Sequence, residues 1–353
     1  MRPLRPCTVT LAAFALPLAG VALCKAQAPA VAAYHVTRAA TLGGDGRWDY
    51  LTLDATGGRL FIARQTRIMV VDPESGASLG EIPGIAGAHG VALAEAAGHG
   101  FATAGRDGSV TMFDLRSLAV LRRIPVGDDA DAVLYDPVSK RVFTFNGDAA
   151  SSSAIDPVTG RVIGTVPLGG KPEFGVSDGV GRLYVNIEDM GEVAEIDPVG
   201  LRVTRRWSLA PCMEPTGLAI DRAHHLLFSG CHNRTMAISD AKAGRTIAQV
   251  PIGDGVDGAA FDPGTGLAFA SNGEGTLTVV REDTPTVFHV VSTVRTRRGA
   301  RTLALDGRRH RIYSVTATFG TTPAPTAAEP HPRPSLVPGT FVLLTLDPEI
   351  SKP

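Results

Sequence analysis

A unit of about 40 to 44 residues recurs seven times along this chain, and nothing else in the sequence restricts the fold as tightly. The clearest copy reads Gly-Gly-Lys-Pro-Glu-Phe-Gly-Val-Ser-Asp (169–178), Gly-Val-Gly-Arg-Leu-Tyr-Val-Asn-Ile-Glu-Asp (179–189) and Met-Gly-Glu-Val-Ala-Glu-Ile-Asp (190–197). Three runs rich in β-branched and aromatic residues are separated by Gly, Asp and Asn turns, and residues 201–209 add a fourth run. Four such strands form an antiparallel sheet with two open edges, which cannot fold alone.

Two anchors keep the copies in step. The first is a carboxylate closing the first strand, at Asp54, Asp136, Asp178, Asp221, Asp262 and Asp306, with Ala94 in a weaker copy. The second follows the third strand, at Asp72, Asp114, Asp156, Asp197, Asp240 and Asp347, with Arg281 in the sixth copy. Asp in these places serves turns. Seven four-stranded repeats of this period predict an all-β chain, a seven-bladed β-propeller in which radial closure hides the strand edges. A length of 353 residues would otherwise suggest two domains; the repeat favours one body over residues 34–347.

Residues 34–43 resemble the outer strand of a blade (compare 160–169) yet precede the first full copy, while the chain ends on a third strand at 340–347. The N-terminal segment is therefore expected to supply the outer strand of the last blade and close the ring. Between them, residues 319–339 break the pattern with Pro323, Pro325, Pro330, Pro332, Pro334 and Pro338. This insertion joins the second and third strands of the last blade, and either crosses the channel mouth as a lid or hangs from the surface.

Residues 1–28 have the order of a secretory signal: Arg2 and Arg5, an apolar run over 9–23, then small residues with cleavage expected after Ala26 or Ala28. The apolar run is short for a bilayer span and broken by Pro17 and Gly20, so no transmembrane segment is expected. A periplasmic or secreted monomer follows. Removal of the leader takes Cys7 and Cys24 with it. Cys212, before the first strand of the fifth copy, and Cys231, at the end of the second, come together by antiparallel pairing, and in an oxidising compartment form a disulfide. The competing reading is a thiolate metal site helped by His232.

Counting back five residues from each first anchor gives the upper, innermost end of each first strand: Asp49, His89, Asp131, Glu173, Thr216, Asp257 and Arg301. Glu214 shares the strand face of Thr216 by the period-2 rule. The loops of the same end carry Asn186 and Asn272. These side chains converge on one opening, where carboxylates predominate. Two carboxylates ~6 Å apart repel by roughly 3 kcal/mol at an effective dielectric near 20, so the group calls for a cation, for Arg301, or for raised pKa values. Asp131, Glu173, Glu214 and Asp257 are the expected ligands of one divalent ion. Oxygen donors suit Ca²⁺, Mg²⁺ or Mn²⁺, and His89 would extend the set to Zn²⁺ or Fe²⁺. The structural alternative is a wet channel whose polar strand ends are merely solvated.

A net charge of −1, from 34 basic and 35 acidic residues, and an aromatic content of 6% argue against a nucleic-acid partner. The Gly-x-Ser-x-Gly spacing at 76–80 and 175–179 falls in strand-and-turn runs with no helix after it, so it is not the nucleophile elbow of a serine hydrolase.

The units Arg-Leu-Tyr-Val-Asn (182–186), Ile-Asp-Pro (155–157 and 196–198), Val-Pro-Leu-Gly (166–169) and Ile-Pro-Val-Gly (124–127) make the chain resemble the YVTN-repeat, YncE-like seven-bladed propellers over residues 34–347. That resemblance implies an exported propeller, and it transfers no catalytic residue. Three readings remain open: a propeller binding a small molecule, metal or protein partner at the acidic mouth; a metal-dependent hydrolase or lyase, lactonase-like, using the same carboxylates; and a scaffold working through its outer surface.

Overall fold

The computed structural model describes residues 33–54, 56–326, 330 and 332–349. The expected leader over 1–28 lies outside the described residues. Seven antiparallel four-stranded sheets make up the described chain, one per repeat. Blade 1 runs through Leu51–Asp54, Arg59–Arg64, Arg67–Val71 and Ser78–Pro83, and blade 4 through Pro172–Ser177, Leu183–Ile187, Glu192–Asp197 and Arg202–Ser208. The chain is an all-β seven-bladed propeller, as the repeat predicts. Among the described residues no helix is long and apolar enough to cross a membrane.

Most middle strands are apolar on both faces because each blade is sandwiched between two others; Ser151–Ile155 of blade 3, with three buried serines, is an exception. In Arg59–Arg64, Leu60 and Ile62 pack with Tyr313 and Val315 of the last blade, while Phe61 and Ala63 pack with Val91 and Ala102 of the second. Strand alternation thus sorts side chains between two greasy seams rather than between core and water. Near the axis the inner strands come so close that a Cβ on Gly217 would lie 2.7 Å from the Asp257 carbonyl oxygen. Only glycine fits there.

The anchor aspartates do what their positions demand. Asp178 accepts hydrogen bonds from the backbone N–H groups of Val180, Gly181 and Arg182. Asp72, Asp114, Asp156 and Asp197 each accept from two N–H groups of the turn that follows. Asp347 has no turn to serve, since its strand is followed in space by the N-terminal one. Its carboxylate instead accepts from Arg311 Nε at 2.6 Å and Thr37 Oγ1 at 2.5 Å.

Tyr34–Thr41 pairs antiparallel with Val342–Pro348 and closes the last blade. The strand ends two residues before the expected boundary because Leu42 and Gly43 both turn their N–H groups onto the Phe341 carbonyl. In the sixth copy the third strand, Thr276–Thr284, runs past Arg281 and forms a long hairpin with Val287–Arg295. The Pro-rich insertion is held at its neck by a Phe319–Leu336 bridge and paired bonds between Gly320, Thr321 and Ser335. It reaches the mouth: Arg47 donates to the Pro334 carbonyl at 2.7 Å, and Phe319 packs on Trp48.

Candidate functional site

The upper ends of the inner strands enclose a cavity of about 540 Å³, lined by Asp49, His89, Asp131, Glu173, Asp257 and Arg301 together with Trp48, Tyr50, Gln65 and Arg106. A volume of this size suits a small molecule. Six of the seven strand-start positions therefore meet, brought together from six blades by register alone. Thr216, the seventh, turns its hydroxyl to the Val256 carbonyl at 3.0 Å and ties blade 5 to blade 6.

The backbone holds these residues firmly. Asp49 donates its N–H to Ala63, and its carbonyl accepts from the Thr302 hydroxyl at 2.8 Å. Thr103 bonds the Asp131 carbonyl in the same way from the neighbouring blade.

Charge alternates around the ring. Arg301 bonds Asp257 through Nε and reaches Asp49 at 3.3 Å. Asp49 lies 2.6 Å from His89 Nδ1, which is also 3.3 Å from Asp131 Oδ1. One Nδ1 hydrogen cannot serve both carboxylates. It goes to Asp49, so Asp131 Oδ1, although near the ring, is buried without a hydrogen-bond donor. Burial opposes a charge on His89, but the Asp49 hydrogen bond and the Asp131 charge outweigh it and raise its pKa to about 9. Burial raises Asp131 to about 7 against the pull of His89. Glu173 is 8% exposed and is pushed up to about 10 by burial and then by Asp131. Lys171, 3.9 Å from Glu173, is closer to Glu188 at 3.2 Å and offsets little. At neutral pH the cup holds a neutral carboxylic acid, Glu173, facing an ionic chain.

Tyr50 closes the cup below. Its ring packs on Phe174 across the axis, with centroids 5.0 Å apart, and Phe174 in turn lines a separate lower cavity of about 580 Å³. The central channel is thereby divided in two. Tyr50 and Trp48 escaped the sequence reading because they alternate with Asp49, and period-2 alternation assigns them to the other strand face. The signal that could have found Tyr50 is the pair of aromatic residues, Tyr50 and Phe174, at a position where the other five copies carry Gly, Ala or Thr.

Glu214 is not brought to the cavity. It is 58% exposed at its side chain and paired with His232 at 3.0 Å. The period-2 rule placed it wrongly because Glu214 precedes its strand and has φ of 48°, which breaks extended alternation. Asn186 and Asn272 are also absent from the lining, being wholly buried. Asn186 donates to the Thr216 carbonyl and accepts from Ser229, and Asn272 donates to Thr276 and Thr278. Asn186 thus braces the seam between blades 4 and 5, and Asn272 ties neighbouring strands within blade 6. Of the expected ion ligands, Asp131, Glu173 and Asp257 line the cavity, but Asp257 is engaged by Arg301. The ligand atoms that lie within 4.8 Å of one another belong to Asp49, His89 and Asp131. An unpartnered buried carboxylate oxygen beside an imidazole and a second carboxylate is a donor set suited to a divalent ion.

Cys212 and Cys231 are disulfide-bonded with Cα atoms 5.6 Å apart, which removes the thiolate alternative.

No protein-family model matches the chain, and neither does any curated protein. Among solved structures it is similar to Kuenenia stuttgartiensis hydrazine synthase, at 17% identity and a TM-score of 0.66 over 75% of this chain and 91% of that one. Likeness at that identity establishes the propeller fold. It is shared with 1761 solved chains, too many for the fold to select an activity.

Proposed function

We propose that this protein is a binding propeller that holds a divalent cation, and through it a small oxygen-bearing ligand, in the upper cup. The observation that carries this reading is the buried, donor-less Asp131 Oδ1 facing His89 and Asp49. A cation there would displace the His89 proton and polarise a ligand's carbonyl or carboxylate oxygen. Arg301 and Arg106 line the same cavity and favour an anionic ligand group. Elemental analysis of gently purified protein, followed by equilibrium dialysis with Mn²⁺, Ca²⁺ and Zn²⁺, tests it. Asp131→Asn should remove one equivalent of bound ion; a cup that takes up none of the three defeats the reading.

A second reading, a metal-dependent hydrolase or lyase of lactone-like substrates, is favoured by Glu173, whose retained proton suits a general acid beside the cation. Turnover in a lactone and ester panel, lost in Glu173→Gln with ion binding intact, would support catalysis over binding alone.

We infer that the chain belongs with the YVTN-repeat, YncE-like propellers and is exported to the periplasm or beyond as a monomer with residues 1–28 removed. The repeat period, the Ile-Asp-Pro and Val-Pro-Leu-Gly motifs and the disulfide support this. Mass spectrometry of the protein recovered outside the cytoplasm should give an N-terminus at residue 27 or 29.

A further inference from the structure

At the opposite end of the inner strands, in the seam between blades 5 and 6, three side chains from two distant parts of the chain meet. Asp221 ends the inner strand Pro215–Asp221, His224 sits in the turn after it, and Glu282 comes from the third strand of blade 6. His224 Nδ1 lies 2.6 Å from Asp221 Oδ2 and 2.6 Å from Glu282 Oε1. The other Asp221 oxygen is committed to the turn, accepting from the Ala223 N–H at 2.9 Å.

Glu282 is the anomaly. Its side chain is 4% exposed and touches His224 only as an ion pair through Oε1, and neither of its oxygens receives a well-directed hydrogen bond. The single Nδ1 hydrogen of His224 is directed to Asp221 and cannot serve Glu282 as well. An imidazolium between two carboxylates would account for one Glu282 oxygen but leaves Oε2 with nothing. A buried carboxylate without donors costs several kcal/mol unless something positive reaches it. The Glu282 backbone cannot swing away, since its N–H is held by the Gly266 carbonyl at 2.9 Å.

We propose that Asp221, His224 and Glu282 form a second divalent-cation site, of the Zn²⁺ class, that staples blade 5 to blade 6. One imidazole nitrogen and two carboxylate oxygens suit such an ion, with water completing the shell. Bonds of ~2.0–2.1 Å set tetrahedral ligand atoms roughly 3.3 Å apart, so the cluster must open by about 0.7 Å. His224 can supply that movement, because its side chain is half exposed on a turn. The ion takes the place of the Nδ1 proton, and enters from the open side of His224. Its role here is structural, since its ligands join blade 5 to blade 6.

The test uses full-length protein carrying Asp131→Asn, so that the upper cup is disabled and its fate cannot affect the result. After dialysis against chelator, Zn²⁺ is titrated calorimetrically and Co²⁺ followed by its visible absorption. The expected result is one equivalent of Zn²⁺ with proton release, a Co²⁺ spectrum showing nitrogen ligation, and a melting temperature raised by ~2–5 °C at saturation. Glu282→Gln and His224→Gln should each weaken Zn²⁺ binding at least tenfold. His224→Gln is a half-exposed substitution that keeps the fold and so answers the question if Glu282→Gln destabilises the seam. Absence of binding at 1 mM Zn²⁺ (roughly the limit of a weak site), or binding indifferent to both substitutions, overturns the proposal.

Discussion

The Arg64 guanidinium sits over the Phe341 ring, 3.6 Å from its centroid, in the protein interior. Arg64 is 1% exposed and donates to the carbonyls of Gly43, Gly44, Asp45, Gly46 and Arg47. Those residues carry the chain from the closing strand to the first inner strand, and Phe341 directly precedes the third strand of the last blade. One side chain therefore pins both ends of the ring closure.

Arg64→Met keeps the apolar stem but abandons five backbone carbonyls. We expect a loss of ~3–5 kcal/mol, read from denaturant midpoints. Arg64→Lys should recover little of it, because a single ammonium cannot reach all five carbonyls as the planar fork does.

Removal of residues 34–41 strips the outer strand from the last blade and exposes the edge of Val342–Pro348. A sharply lower melting temperature and concentration-dependent association are expected, by calorimetry and light scattering. Thr37→Val and Asp347→Asn, which cut the ties to the closing strand, should produce smaller falls in the same direction.

Reduction of Cys212–Cys231, whose partners are 19 residues apart, releases a short loop. The chain-entropy model gives a cost of about 3 kcal/mol. Melting with and without reductant should show a single lower transition, and Cys212→Ser/Cys231→Ser should reproduce it without reductant.

Stability of chelator-treated protein should fall from mildly acidic to alkaline pH. Glu173, raised to about 10, holds its proton in the folded state over a range where the unfolded chain has lost it, so its contribution declines from about pH 4.5 upward. The His89 contribution is fully present below about pH 6.5 and is lost as pH rises through about 9. Burial first opposes a charge on Asp54, but the Gly57 N–H and Arg59 hold its carboxyl below the usual range, so its contribution is present above about pH 4 and fails on acidification. Melting temperatures at pH 5 to 9 should decrease, and Glu173→Gln should flatten the alkaline part and melt higher than the parent at pH 8. A parent curve rising through that range would contradict the assigned charge states.

The fold was legible because turn chemistry repeats. Asp178 and its equivalents serve turns through their own backbone, a local matter that spacing alone exposes. The convergence of Asp49, His89, Asp131, Glu173, Asp257 and Arg301 was legible for the same reason, since equal counts from equal anchors land at equal radius. Glu214 failed where alternation stopped, at a residue in the left-handed region. Asn186 and Asn272 failed because a loop-end amide reads alike whether it faces a cavity, a neighbouring blade or its own hairpin; the partners lie some 30 to 43 residues away for Asn186 and 4 to 6 for Asn272.

The amino-acid order by itself determined the number of blades, the antiparallel four-strand unit, the closing strand and the approach of Cys212 to Cys231, all of which rest on period, alternation and turn residues within one or two repeats. Tertiary structure alone decided which carboxylate keeps a proton, which is left without a donor, and that Tyr50 meets Phe174 to floor the cup. Those outcomes depend on burial and on distances between side chains from different blades, and no local pattern encodes a distance across the axis.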